Sequence, residues 1–356
     1  MSRQNLDMTG NKDRAADHNE KLFTRSRLFF IIFSAILIVF VVYYFPEIRK
    51  EIRMLKKVNV YWLIAAIVSQ FLTYFFTAVI YRFLLAAHKI KQAPGLWDLL
   101  KASLISLFFS QTVPSAGVSG NTFIFNFLSK SKIKVTQIIS VILAELLIFY
   151  AAMEAIIIIL LLVCLFFFKV RRIISLTLAI GLGVYLVFAT FTAFAGRKKF
   201  IDLIFKKIQK VKFIKKIFEK ITQKIEQQGI SKKEVNVLTL LEENKGQTIK
   251  VFLFHLLVVA ADAFTLYALF SGLGIPVSPF VVLLGLISTR IISLIPFLPG
   301  SLILYESSMT FFFTTLALPL GAAAIVTLIY RLLSFWFPIP VGLFFYKQWQ
   351  QKTSDG

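Results

Sequence analysis

The sequence predicts an all-α polytopic membrane protein with about six to eight spanning helices, and two observations support this fold class. First, 58% of the 356 residues are hydrophobic and the mean hydropathy is +0.78, which is far above the usual composition of a water-soluble domain. Second, several apolar runs reach the roughly 20 residues that a helix needs to cross a hydrocarbon core. Because Cys164 is the single cysteine and lies in such a run, an intramolecular disulfide and a cysteine-based metal cluster are excluded. We expect neither a cofactor nor a metal ion.

The charged residues indicate how the chain is oriented. The formal net charge is +22, from 40 Lys and Arg against 18 Asp and Glu, and no base-reading motif accompanies it. In a membrane protein such an excess sets topology and attracts anionic lipid, so we expect no nucleic-acid partner. Residues 197–249 are the most basic segment, and their apolar residues recur every three or four positions. We interpret this segment as a cytoplasmic amphipathic loop, which either docks on anionic headgroups or is a solvated loop packed under the bundle.

The N-terminal membrane half comprises residues 28–196. Between its second and third apolar runs, a further apolar segment is interrupted at residues 110–121, where Pro114, Gly117 and Gly120 break the helical pattern. The predicted spans of this half are residues 28–45, 60–86, 135–168 and 173–195.

The C-terminal membrane half, residues 250–347, has the same organisation. Predicted spans at residues 249–270 and 322–346 flank a second interrupted segment, with its break at residues 291–306. Residues 1–27 and 348–356 are then the two cytoplasmic tails of a multi-pass protein of the cytoplasmic membrane.

The second break has a clear chemical cause. Pro296 and Pro299 lack a backbone N–H and Gly300 lets the chain reverse, so we expect the preceding helix to end near Leu294. Lipid cannot satisfy the backbone groups that a break exposes, so breaks persist where protein buries them or a polar cavity receives them. We therefore interpret both interrupted segments as re-entrant hairpins, rather than as ordinary helix-loop-helix connections. Paired interruptions of this kind are typical of inverted repeats.

Five charged residues fall within or beside these apolar segments and are candidate substrate-binding or coupling residues, together with Pro299 and Gly300 at the break. Arginine forks onto phosphate, and a carboxylate receives an amine or a proton, so the set suits a charged or zwitterionic headgroup. The alternative is that the arginines pair with nearby glutamates and hold helices in register. The five residues are Glu145, Asp262, Arg290, Glu306 and Arg331.

Two further ionisable residues receive a lower rank. Glu154 lies nine residues after Glu145 and therefore points to the opposite side of the same helix. His255 lies seven residues before Asp262 and shares its face, but we expect it to be a packing residue. The three histidines are scattered, and the sequence contains neither a phosphate-cradling glycine loop nor a serine nucleophile elbow, so we do not expect an enzyme.

Several stretches resemble the transmembrane region of lysylphosphatidylglycerol synthases, a family of flippase-like membrane proteins. They are PGSLILYE at residues 299–306, LIYRLLSFWFPIPVG at 328–342, VPSAGVSGN at 113–121 and LAELL at 143–147. Two glycines of the family pattern are replaced by Ser301 and Ile303, and Leu146 stands where the family often has arginine. The residues that match the pattern are Glu145, Pro299, Gly300, Glu306 and Arg331.

The resemblance implies that the protein moves a lipid between leaflets. Bifunctional family members carry a soluble aminoacyl-transfer domain after this region, and since the sequence ends at Gly356 we expect no lysyl transfer by this chain. We predict a protein that translocates or presents a phospholipid or glycolipid headgroup, with anionic or aminoacylated lipids as partners. The alternative is an accessory subunit, with a homo-oligomer or an envelope-synthesis complex as its context. Glu145, Asp262 and Glu306 are the candidate proton or ion carriers.

Overall fold

The computed structural model describes most of the chain after residue 58, and these residues form helices without any strand. The predicted tail at residues 1–27, the predicted span at 28–45 and residues 197–236 of the basic loop lie outside the described residues. The described residues are 59–88, 90, 93–113, 118–131, 133–167, 170–195, 237–294 and 303–354.

The helices follow one another with short connections. In chain order they are α1 (Val60–Ala87), α2 (Leu96–Thr112), α3 (Val118–Lys130), α4 (Val135–Phe166), α5 (Arg172–Ala195), α6 (Val237–Glu243), α7 (Lys245–Gly272), α8 (Pro279–Ser293), α9 (Leu304–Thr315), α10 (Leu320–Arg331), a π-helical turn (Leu332–Trp336) and α11 (Pro338–Ser354).

Within the described ranges, 5 segments are long and apolar enough to cross a membrane. They correspond to the spans predicted from apolar length, and they confirm the all-α polytopic membrane fold. Large apolar side chains such as Ile159 and Val187 remain exposed on them, as expected where a helix faces lipid. The segments are α1, α4, most of α5, α7 and the continuous stretch Leu320–Gln351.

Two helical hairpins lie between the spans: α2 packs against α3, and α8 packs against α9. Helix α8 begins with a Ser278 side chain that accepts a hydrogen bond from the Val281 amide, and Pro279 occupies its first turn. Its C-cap is Leu294, which confirms the predicted helix end. The connecting residues 114–117 and 295–302 lie outside the described residues, and with them the predicted break residues Pro114, Gly117, Pro296, Pro299 and Gly300.

The centre of the molecule is an antiparallel pair formed by α1 and α7. The Asn59 amide, at the start of α1, donates to the Gly272 carbonyl at the end of α7, at 2.9 Å. Near the middle, the Ser69 hydroxyl donates to the Ala261 carbonyl at 2.8 Å. Ala66 is fully buried at this contact. Small side chains let two helix backbones approach closely, which is how apolar spans gain packing energy in lipid.

The two halves of the chain are arranged as expected for an inverted repeat. Helices α1 and α7 are both 28 residues long and start 185 residues apart, at residues 60 and 245. The 32-residue stretches Val135–Phe166 and Leu320–Gln351 have the same spacing. Contacts recur in the same way: α1 on α2 matches α7 on α8, and α2 on α3 matches α8 on α9. Because α1 and α7 are antiparallel, this arrangement is the one expected of an inverted repeat.

Candidate functional site

The first part of the site joins α7 to the end of α8. Arg290, in the last turn of α8, forms an ion pair through Nη2 with Oδ2 of Asp262, near the middle of α7. The other carboxylate oxygen accepts a hydrogen bond from Gln70 Nε2 of α1 at 3.3 Å. The same amide nitrogen donates a second hydrogen bond to the Thr73 hydroxyl oxygen at 3.0 Å. Asp262 is buried, and a buried carboxylate requires a charged partner and further hydrogen bonds of this kind.

A second ion pair joins α9 to α10. Glu306, in the first turn of α9, accepts a hydrogen bond from Arg331 Nε at 2.6 Å. The start of a helix stabilises negative charge and its end stabilises positive charge, so both residues lie at favourable helix termini. The Arg331 guanidinium also lies 4.5 Å from the ring centroid of Tyr305 and 4.2 Å from that of Phe335, within the range of cation–π attraction.

Two tyrosines connect the ion pairs into one group. The rings of Tyr305 and Tyr330 are stacked, with centroids 6.4 Å apart and planes inclined by 19°. The Tyr330 side chain also lies beside Asp262, while Tyr305 faces the Arg331 guanidinium. We call the four ionic side chains, Asp262, Arg290, Glu306 and Arg331, the charged cluster. Its formal charge is zero, because each carboxylate has an arginine.

The π-helical turn lies directly after Arg331 and ties the site to the N-terminal half. The Phe337 amide donates a hydrogen bond to the Leu332 carbonyl at 2.8 Å, instead of to the Leu333 carbonyl. Pro338 has no N–H that could donate to the Ser334 carbonyl. Two carbonyls are thereby released from the helix. The Leu333 carbonyl accepts from the Tyr74 hydroxyl at 2.6 Å, and the Ser334 carbonyl accepts from Gln111 Nε2 at 3.1 Å. Such turns occur frequently at functional sites.

Several buried polar atoms around these groups have no hydrogen-bond partner within the described part of the chain. An unpaired buried polar group costs about 1–3 kcal/mol, so a concentration of them marks a place that accepts a polar ligand. The atoms beside the charged cluster and the π-helical turn are Gln70 Oε1, Gln111 Oε1, Glu306 Oε2 and Ser334 Oγ.

Glu145 lies apart from the charged cluster. It is on α4, and its Oε1 is 4.0 Å from Nε2 of His255 on α7. Phe149 packs edge-on against the His255 ring, with centroids 5.7 Å apart. Of the five charged candidates, the structure therefore brings four together and places Glu145 with a histidine that the sequence ranked as a packing residue.

A sequence model of the lysylphosphatidylglycerol synthase transmembrane region matches residues 27–342. The chain belongs to this family. The match spans both halves of the inverted repeat, both hairpins and the whole charged cluster, so the resemblance predicted from PGSLILYE and LIYRLLSFWFPIPVG is confirmed. No curated protein sequence matches the chain.

The glycine positions of the lysylphosphatidylglycerol synthase pattern have a physical explanation here. Ile303, at the start of α9, has a φ of 69°, a conformation that glycine adopts freely and a β-branched residue does not. Gly120 was predicted as part of the first break, but the structure places it inside α3. A Cβ at Gly120 would lie 2.6 Å from the Ser106 carbonyl, so this glycine allows α2 and α3 to pack closely.

The sequence analysis missed the neutral members of the site. Gln70, Tyr74 and Gln111 come from the N-terminal half and contact the C-terminal charges or the π-helical turn. One signal was present, because an amide such as Gln70 in the middle of an apolar span is costly unless it faces the protein interior.

Proposed function

We propose that this protein moves a phospholipid or glycolipid headgroup across the membrane, and that the charged cluster binds the headgroup on its way. The supporting observation is that each ion pair has one buried and one partly accessible member. Arg290 is 18% exposed against 8% for Asp262, and Glu306 is 21% exposed against 7% for Arg331. The cluster therefore leaves one cation and one anion partly accessible.

This pair of accessible charges fits a headgroup that carries both signs. A guanidinium recognises phosphate through several N–H donors, and a carboxylate accepts hydrogen bonds from an ammonium group. Glu306 Oε2 lacks a partner within the described residues and is the natural acceptor for such an amine. Zwitterionic and aminoacylated phospholipids carry both groups, whereas an uncharged glycolipid headgroup uses neither.

The lengths of the hairpin helices support a re-entrant arrangement. Helices α8 and α9 contain 15 and 12 residues, so they are about 22 Å and 18 Å long, against a hydrocarbon core of about 30 Å. Neither helix crosses such a core. A turn at membrane depth with polar groups beside it gives a headgroup successive partners as it loses water.

The test is a leaflet-exchange assay in proteoliposomes. Fluorescent phosphatidylglycerol, aminoacylated phosphatidylglycerol and a diacylglycerol glycolipid are compared for wild type, Glu306→Gln and Glu243→Gln, the last being an exposed glutamate on α6. We expect wild type and Glu243→Gln to exchange the aminoacylated lipid faster than empty liposomes do. Glu306→Gln should exchange it at least tenfold more slowly, since a charge-assisted hydrogen bond contributes about 1.5–3 kcal/mol.

The outcomes separate the two candidate functions. Exchange of a lipid by wild type that Glu306→Gln slows supports translocation through the charged cluster. If folded wild-type protein moves none of the three lipids, the translocation proposal is wrong. The accessory-subunit hypothesis then applies, and partners of residues 197–249 become the next target.

A further inference from the structure

The buried carboxylates of the spanning helices and hairpins differ in how their charge is compensated. Asp262 and Glu306 each have an arginine partner. Glu145 has no arginine or lysine within ion-pair distance among the described residues, although it is largely shielded inside the bundle. An isolated carboxylate costs several kcal/mol at membrane depth, so it persists only with a functional reason or a bound proton.

The surroundings of Glu145 are polar but uncharged. His255 on α7 is buried, and its Nε2 has no hydrogen-bond partner within the described part of the chain. Tyr81 of α1 and Tyr150 of α4 also lie near the carboxyl group. The described residues of α3, α5 and α6 place no ionic group against it. The carboxyl and the imidazole are therefore the two groups here that can take up and release a proton, since an unperturbed tyrosine hydroxyl ionises only at high pH.

We propose that Glu145 and His255 form a proton-binding site, and that the proton bound there drives lipid movement at the charged cluster. This proposal rests on the proposed translocation function. Without a bound proton the two groups together carry one negative charge, and with one proton they carry none. The proton comes from water on one side of the membrane, resides on a Glu145 oxygen or on His255 Nε2, and returns to water on the other side. No other bond forms or breaks.

Helix α7 links this site to the charged cluster. It carries both His255 and Asp262, and seven residues correspond to two turns, or about 10 Å along one helix face. The inverted repeat gives a second link. At the spacing of 185 residues that relates α1 to α7, His255 is the counterpart of Gln70, and Glu145 is the counterpart of Tyr330. Gln70 and Tyr330 both contact Asp262. The two sites thus occupy equivalent places in the two halves.

The first test measures proton binding without any lipid movement. Infrared spectra of the purified protein at neutral pH should contain the C=O stretching band of a protonated carboxyl. We expect Glu145→Gln to remove that band and Glu154→Gln, on the same helix, to leave it in place. His255→Gln, which introduces the residue type found at the equivalent position 70, should shift it. If the band keeps its position and intensity in Glu145→Gln, the proton-site proposal is wrong. If that variant does not fold, the band of the wild-type protein is titrated with pH instead, and a band that does not respond to pH overturns the proposal.

The second test measures coupling. Proteoliposomes with a pH difference of one unit should accumulate the aminoacylated lipid in one leaflet, up to about tenfold if one proton moves with each lipid. With Glu145→Gln the lipid should equilibrate to equal leaflets whatever the pH difference. If the distribution of the lipid between leaflets in wild-type proteoliposomes does not depend on the pH difference, the coupling proposal is wrong. If no lipid moves at all, the translocation function fails, while the infrared band still decides whether Glu145 and His255 bind a proton.

Discussion

The ion pair between Asp262 and Arg290 allows a quantitative test of what holds the site together. Asp262→Asn leaves the guanidinium without its charged partner, although Gln70 and Tyr330 remain beside position 262. Removing one member of a buried pair costs about 3–5 kcal/mol, because the other charge stays buried. With an unfolding entropy of about 2.1 cal/mol/K per residue, the 356 residues correspond to a decrease in Tm of about 4–7 °C.

The double variant Asp262→Asn/Arg290→Met separates the cost of the lone charge from the value of the pair. Replacing both members by uncharged side chains of similar size is often neutral or stabilising. We therefore expect the double variant to recover most of the lost Tm. It should nevertheless remain inactive in lipid exchange, because the accessible cation is gone.

A thiol-reactive dye provides the assay. Cys164 is the single cysteine of the sequence and is buried in α4, so the dye reacts when the helix bundle opens. Glu243→Gln serves as the control and should unfold at the wild-type temperature. The reasoning is refuted if Asp262→Asn is as stable as wild type, or if the double variant is no more stable than the single one.

Two further predictions concern backbone geometry and use the same dye assay. Ile303→Gly should raise Tm by about 1–2 °C, since relief of about 1–3 kcal/mol of backbone strain at a φ of 69° outweighs the entropic cost of glycine. Ile303→Ala keeps the strain, so an equal increase in Tm from this variant would contradict the explanation. Gly342→Ala should destabilise the contact of α11 with α2, because its Cβ would lie 2.6 Å from the Leu104 carbonyl, a backbone atom that cannot rotate away. Gly183→Ala is the matched control, since a Cβ at position 183 has no atom within 4 Å. This variant should be neutral or stabilising by up to about 1 kcal/mol. A similar loss of Tm in both variants would show that packing is not the cause.

The spans and hairpins were predictable because they depend on local properties. A helix that crosses lipid needs about 20 apolar residues in sequence, and a proline ends a helix wherever it lies. The end of α8 at Leu294 follows from Pro296 by this rule alone. The repeat was predictable as a pattern of interruptions. Its antiparallel geometry was not, because the contact of α1 with α7 depends on residues about 190 positions apart.

The pairing of the charges was predictable only in part. The sequence alternative paired the arginines with Glu306 or Glu145, and the Arg331–Glu306 contact agrees with it. The partner of Arg290 is instead Asp262, since the turn after α7 brings the last turn of α8 back beside the middle of α7. The π-helical turn left one sequence signal, Pro338, which has no N–H for the Ser334 carbonyl.

The inverted repeat conserves backbone architecture while its charges are unequal, and this difference bears on mechanism. At the spacing of 185 residues, the counterparts of Asp262, Glu306 and Arg331 are uncharged: they are Thr77, Asn121 and Leu146. A two-fold related pair of hairpins allows each half to adopt the conformation of the other, which exchanges the side of the membrane to which a central path opens. Such an exchange requires equivalent backbones but not equivalent charges.

On the proposed translocation function, one charged cluster is therefore enough for both directions of opening. If the charges were duplicated, a headgroup would bind with equal affinity in both halves. It would then not shift the equilibrium between the two conformations, since a ligand shifts an equilibrium only by its differential affinity. On the proposed translocation function, two ion pairs in the C-terminal half and the uncompensated Glu145 in the N-terminal half make the two conformations unequal in charge environment. On the same proposal, a proton bound at Glu145 changes which conformation is favoured, and this is the asymmetry that a coupled transporter needs.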